Sequence, residues 1–77
     1  MKKEEYSKLS LREKMDLLVE EMIEKKILLN DAKKEFEKLY IEKILKKHKR
    51  NISKAAQVLG LHRNTLQSKA KSLKIKK

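Results

Sequence analysis

Residues 51–73 have the sequence NISKAAQVLGLHRNTLQSKAKSL, and this stretch decides the fold. A single glycine, Gly60, separates two segments whose apolar residues recur at helical spacing. Asn51 is a favourable N-cap for the first segment, and glycine is the residue that most readily ends a helix in a left-handed conformation. The pattern predicts helices over about Ile52–Leu59 and Arg63–Leu73, joined by a tight turn, which is the arrangement of a helix-turn-helix.

The side chains of the two segments are suited to close packing. Ala55 and Ala56 are small, so another helix can cross the first segment at short distance. Leu66, Ala70 and Leu73 share one face of the second segment, which predicts that this face is its inner one.

The charge of the chain is concentrated around the same stretch. Residues 46–77 contain eleven lysines and arginines and no acidic residue, whereas residues 1–45 contain eleven residues of each sign. The net charge of +11 therefore lies in the C-terminal segment, which is typical of a protein that binds a polyanion. The basic run at 46–50 is either a solvated helix end or a contact to a nucleic-acid backbone.

Composition excludes several other classes of protein. One glycine, no proline and abundant lysine and glutamate favour an all-α fold, and 77 residues suit a single small domain. The absence of cysteine excludes disulfides and thiolate metal sites. Without an apolar span, a signal core or a paired catalytic constellation, we expect a cytoplasmic, nucleoid-associated protein that is not an enzyme and has no membrane partner, cofactor or metal.

Two longer helices are predicted before the basic segment. Ser10 and Glu13 fit a capping box at the start of the first helix. The second helix is predicted to start from a cap at Asn30 or Asp31 and to run to about His48. Its main apolar face comprises Ala32, Phe36, Leu39, Tyr40 and Ile44, whereas Ile41 and Leu45 point elsewhere.

A homodimer is predicted from these two helices. A helix that is apolar on more than one face is usually covered on more than one face, and this chain is too short to cover both by itself. The interface is expected at Leu11, Met15, Leu18, Met22, Ile41 and Leu45. A monomeric four-helix fold is the alternative.

Residues 51–66, NISKAAQVLGLHRNTL, resemble the helix-turn-helix of the Fis family. That family includes the free-standing nucleoid protein Fis and the C-terminal DNA-binding domains of NtrC-class, sigma-54-dependent activators. Residues 31–41 resemble the preceding helix in those activators. The resemblance implies one domain over residues 1–77, with four helices, of which the first two (10–48) form a dimer core and the last two (51–73) bind DNA.

The residues expected to contact DNA follow from the helical wheel and from the resemblance. The helical wheel predicts that the side chains pointing away from the inner face are those of Asn64, Gln67, Ser68 and Lys71. The resemblance to the family instead implies DNA contacts by His62, Arg63, Thr65, Gln67 and Ser68, so the two sets differ mainly at the first turn. The expected base-reading residues are Arg63, Thr65, His62, Asn64, Gln67 and Ser68, with Arg63 foremost because a bidentate arginine–guanine contact is the commonest specific one. The expected phosphate contacts are Asn51, Ser53, Lys54, Lys69 and Lys71.

The function predicted from the sequence is specific binding of double-stranded DNA by a homodimer that regulates transcription. The predicted context is the DNA-binding domain of an NtrC-class activator, with sigma-54 polymerase contacted only through domains outside this chain. A free-standing Fis-like protein is the alternative, and a basic RNA- or membrane-binding helical module is a weaker one. The operator, the signal, the direction of regulation and the degree of DNA bending are left open.

Overall fold

A computed structural model describes residues 3–75 of the 77-residue chain. Over this range the fold is all-α, which confirms the predicted class. Its helices are α1 (Lys3–Ser7), α2 (Leu11–Glu24), α3 (Leu29–Lys47), α4 (Ile52–Leu59) and α5 (Arg63–Ser72). The short helix α1 was not predicted. The chain divides into two compact units, Met1–Ala32 and Lys33–Lys77.

In the first unit, α2 begins at the predicted capping box. The Glu13 N–H donates to Ser10 Oγ at 3.1 Å, and the Ser10 N–H donates to Glu13 Oε1 at 3.1 Å. Two of the N–H groups that a helix start leaves unpaired are thereby satisfied. Because the Ser10 backbone and then its hydroxyl group hydrogen-bond to the carboxyl group, the pKa of Glu13 lies below its ordinary value.

The apolar stripe of α2 is uncovered. No residue of α2 is buried; Leu11, Met15 and Leu18 are exposed, and Met22 is half-buried. A helix of this length that buries none of its apolar side chains is marginal in water. The stripe is therefore the apolar surface of the first unit that burial against a partner would stabilise.

The start of α3 differs from the prediction. The helix begins at Leu29, and the carbonyl oxygen of Leu28 accepts a hydrogen bond from the Ala32 N–H at 2.9 Å. Asn30 and Asp31 lie inside the first turn, so neither is the cap that we expected. Asp31 still favours the helix because its negative charge lies near the positive end of the dipole.

The core of the second unit is formed by side chains of α3, α4 and α5 and by Ile75, which lies beyond the end of α5. Its buried members are Ile41, Leu45, Ala55, Ala56, Leu66, Ala70 and Ile75. Ile41 and Leu45 are 2% and 0% exposed, which corrects their assignment to a subunit interface. The face of α3 that carries them is covered by α4 and α5 of the same chain, so neither side chain has surface left for a second subunit.

The main apolar face of α3, which we also expected to be covered, is only partly covered, because Ile44 packs against the core but three of its neighbours on this face do not. Phe36, Leu39 and Tyr40 are 51%, 54% and 54% exposed. The rings of Phe36 and Tyr40 pack against each other, with centroids 5.9 Å apart. We refer to these three side chains as the aromatic patch.

Lysines occupy a left-handed conformation after three of the helices. Lys26, Lys49 and Lys74 have φ of 57°, 51° and 59°. In each case the following N–H donates to the carbonyl oxygen five residues earlier, as Ile75 does to Ala70 at 2.8 Å, which is the Schellman closure of a helix end. Lysine has a Cβ that opposes this conformation, so these helix ends carry backbone strain.

Candidate nucleic-acid interface

The turn between α4 and α5 has the predicted construction. Asn51 Oδ1 accepts a hydrogen bond from the Lys54 N–H at 3.0 Å and caps α4. Gly60 ends α4 with φ 71° and ψ 30°, and the Leu61 N–H donates to Ala56 O at 2.9 Å. A Cβ on Gly60 would meet no atom within 4 Å, so glycine is favoured there by backbone conformation and not by lack of space.

The packing of α5 fixes which of its faces is free. Leu66 and Ala70 are fully buried in the core, and Leu73 packs against it, as the wheel predicted. α5 lies against α4, where Ala55 and Ala56 are buried and let the two helices approach closely. The opposite face of α5 is left to solvent or to a ligand.

The expected base-reading residues lie on this free face or at the first turn of α5. His62, Arg63, Asn64, Thr65 and Ser68 are exposed, and Gln67 is half-buried. His62 occupies the N-cap position of α5 but makes no side-chain capping hydrogen bond. Among residues 3–75, no side chain pairs with the guanidinium of Arg63, which leaves its donors available.

Four of the five expected phosphate contacts remain accessible. Ser53, Lys54 and Lys71 are exposed. The side-chain oxygen of Asn51 is used by its cap, but its amide N–H₂ group keeps two donors. Lys69 differs, because its ammonium lies 3.0 Å from Glu37 Oε1 on α3 and forms a salt bridge there.

Glu37 and its contact with Lys69 were missed by sequence reasoning. The two residues are 32 positions apart and lie on different helices, so no local spacing pairs them. Elsewhere in the described range, ion pairs join residues four apart along α2 and its C-cap, namely Arg12 with Asp16 and Glu21 with Lys25, and helical spacing alone accounts for such pairs.

The electrostatic character of the surface is set by its lack of acids. Between residues 46 and 75 there is no aspartate or glutamate, so every charged side chain that α4 and α5 themselves contribute is basic, and the nearby carboxylate of Glu37 comes from α3. No described helix combines the length and the apolar character needed to cross a membrane.

This fold and surface define a small helix-turn-helix protein with a basic face. The family model for "Bacterial regulatory protein, Fis family" matches residues 34–73, which is more than half of the chain. The chain belongs to this family, as its resemblance indicated.

A stretch of 43 residues is 51% identical to the transcriptional activator RocR of Bacillus subtilis (strain 168). The match covers 56% of this chain but only 9% of that relative. No solved structure matches the chain.

Proposed function

We propose that this chain binds double-stranded DNA sequence-specifically, as a homodimer, in the regulation of transcription. The observation that carries the proposal is the exposed face of α5. A polar helix face, fixed by the burial of Leu66 and Ala70 on the other side, lies in a segment without acidic residues. Membership of a family of bacterial regulatory proteins supports the same function.

In the proposed complex the N-terminal end of α5 enters the major groove. Arg63 is the leading base contact, because its guanidinium, which pairs with no side chain among residues 3–75, can donate two parallel hydrogen bonds to guanine O6 and N7. Asn51, Ser53 and Lys54 surround the N-terminus of α4, where exposed donors and the positive end of the helix dipole favour a phosphate. These contacts would position the protein, and those of α5 would select the sequence.

Uncovered apolar surface supports the proposed dimer. The first unit offers the α2 stripe of Leu11, Met15, Leu18 and Met22, and the second unit offers the aromatic patch. Burying apolar surface yields about 25 cal/mol per Å², and aromatic side chains are enriched at subunit interfaces. A two-fold dimer would present two copies of α5 to a palindromic site.

We further propose that the chain is the DNA-binding part of a sigma-54-dependent activator. The identity to a transcriptional activator over 43 residues supports this context. Any contact with the polymerase would then be made by regions outside that match. The alternative, a free-standing Fis-like protein, is distinguished by the gene: an open reading frame that continues upstream of the Met1 codon supports the activator, and a stop codon there supports the alternative.

Titration of the chain with a selected duplex, folded RNA and anionic vesicles at matched salt tests the proposed ligand. If the dimer neutralises on the order of 6–10 phosphates, affinity for the duplex should fall about 10³–10⁵-fold between about 50 and about 200 mM salt. Lys54→Ala should weaken binding to all duplexes and flatten the salt dependence, whereas Lys8→Ala, an exposed lysine of the first unit, should change little. Preference for RNA or vesicles would contradict the proposal.

Arg63→Ala tests the proposed base contact. We expect a loss of about 1–3 kcal/mol per half-site and relaxed preference at one base pair, because one bidentate contact disappears. The readout is a titration against sites mutated one base pair at a time. An equal loss on the selected site and on random DNA would make Arg63 a phosphate contact instead.

Sedimentation tests the proposed dimer. Leu18→Asp should yield monomers, because a carboxylate in an apolar interface is costly to desolvate. Val58→Asp is the matched control, since Val58 is also an exposed apolar residue but lies on α4, outside both proposed interface patches. A wild-type chain that remains a fully folded monomer at all concentrations would contradict the dimer.

A further inference from the structure

A single charge pair links α5 to α3. Lys69 Nζ donates to Glu37 Oε1 at 3.0 Å, and the two side chains are 39% and 43% exposed. The remaining connection between these helices within the second unit is apolar, through the core side chains that include Ile41, Leu45 and Leu66. Apolar contacts have no preferred direction, whereas a charge-assisted hydrogen bond does.

Lys69 stands at the edge of the buried face of α5. It follows the buried Leu66 by three residues and directly precedes the buried Ala70, and it is itself half-buried. Lys71, by contrast, is exposed on the free face. The two lysines of α5 are therefore directed differently: one toward α3 of its own chain and one outward.

We propose that Glu37 and Lys69 form a positioning pair that fixes the orientation of α5, and that Lys69 is not a phosphate contact. The inference rests on the proposed function, since it assigns a role within DNA recognition. Base contacts from Arg63 and its neighbours depend on the angle at which α5 enters the groove. A directional tie to α3 limits rocking of α5 about its apolar contacts, so the bound geometry is already present in the free protein.

The expected effect is moderate because both side chains are partly exposed. Exposed ion pairs contribute at most about 1 kcal/mol, which corresponds to about a fivefold change in an equilibrium constant. Loss of the pair should therefore lower affinity for a selected site by up to about fivefold per recognition helix. Affinity for random DNA should not share this loss, because random DNA is held by phosphate contacts that tolerate a less fixed helix.

The test measures the ratio of affinities for a selected palindrome and for random DNA, at several salt concentrations and at a temperature where every variant is folded by circular dichroism. Glu37→Gln and Lys69→Gln should each lower this ratio. Since they change the net charge in opposite directions, a shared loss cannot come from net charge. The charge swap of Glu37→Lys with Lys69→Glu, and Lys69→Arg alone, should restore the ratio.

Matched controls separate the pair from general electrostatics. Glu42→Gln removes a carboxylate from α3 that has no ion-pair partner within residues 3–75, and should leave the ratio unchanged. Lys71→Gln removes the outward lysine and should weaken binding to both DNAs while reducing the salt dependence by about one released counterion per chain.

Several outcomes would overturn the proposal. If Lys69→Gln behaves like Lys71→Gln, then Lys69 is a phosphate contact. If Glu37→Gln tightens binding to both DNAs more than Glu42→Gln does, then Glu37 restrains a phosphate-binding lysine. A ratio unchanged in every variant would leave the pair without a role in recognition. Failure of the wild type to bind duplex DNA would instead contradict the proposed function, and the inference with it.

Discussion

Replacing Lys74 with glycine should stabilise the chain, although the same replacement inside a helix destabilises it. Lys74 closes α5 at φ 59°, a conformation that costs an L-residue about 1–2 kcal/mol because of its Cβ. Glycine removes that strain but gains freedom in the unfolded chain, which costs about 0.4–1 kcal/mol. The difference predicts that Lys74→Gly raises the free energy of unfolding by roughly 0.5–1 kcal/mol.

Two matched variants complete this experiment. Lys43→Gly removes the same side chain from an exposed position inside α3 and should lower the free energy of unfolding by about 0.5–1 kcal/mol. Gly60→Ala places a Cβ in the left-handed conformation at the end of α4, where glycine carries no such strain. It should lower the free energy of unfolding by roughly 0.5–1 kcal/mol with no steric contribution, because an added Cβ meets no atom within 4 Å there.

Urea denaturation followed by circular dichroism measures all three variants, with midpoints compared at constant m-value. The decisive comparison is between the two lysine replacements, since they remove the same charge and the same side chain. If Lys74→Gly destabilises the chain as much as Lys43→Gly, then the left-handed conformation is not the source of strain and the reasoning is refuted.

Three further predictions concern stability. Leu66→Ala should cost about 2–5 kcal/mol in urea denaturation and abolish most of the folded helix-turn-helix, since Leu66 is fully buried; Val58→Ala, at a half-exposed position, should cost far less. Asn51→Ala should cost about 0.5–2 kcal/mol by removing the cap of α4, and an unchanged midpoint would show that the cap is dispensable. The pKa of Glu13 is lower in the folded chain than in the unfolded chain, so ionised Glu13 stabilises the fold at pH above its unfolded pKa. This stabilisation is lost as the pH falls through the folded pKa, so the difference in the free energy of unfolding between wild type and Glu13→Ala should shrink in acid.

Local features of the sequence predicted the helix-turn-helix well. The bounds of α4 and the position of the turn follow from Asn51 and Gly60, whose side-chain chemistry acts within a few residues. The capping box of α2 was predicted for the same reason. The predicted start of α3 was wrong. Asn30 and Asp31 are good capping residues, but the helix begins before them, where the backbone carbonyl of Leu28 accepts a hydrogen bond from the Ala32 N–H.

Tertiary placement was less predictable. A helical wheel shows that Ile41 and Leu45 share a face of α3, but it does not show whether that face meets the same chain or another. The salt bridge of Lys69 with Glu37 depends on how α5 packs against α3, and the separation of 32 positions along the chain hides it from any local pattern. The left-handed lysines were also unforeseen, since lysine has no preference for that conformation.

The absence of any buried residue in α2 has a consequence for how the chain orders itself. Every buried core residue lies between Ile41 and Ile75, so the described chain supplies α2 with little beyond its own hydrogen bonds and surface pairs. Its backbone amides should then exchange with deuterium early, while those of α4 and α5 are protected by global stability. If α2 becomes ordered only when another surface covers it, folding of this helix and association become a single equilibrium, and the concentration of the protein sets the fraction of chains that are structured from end to end.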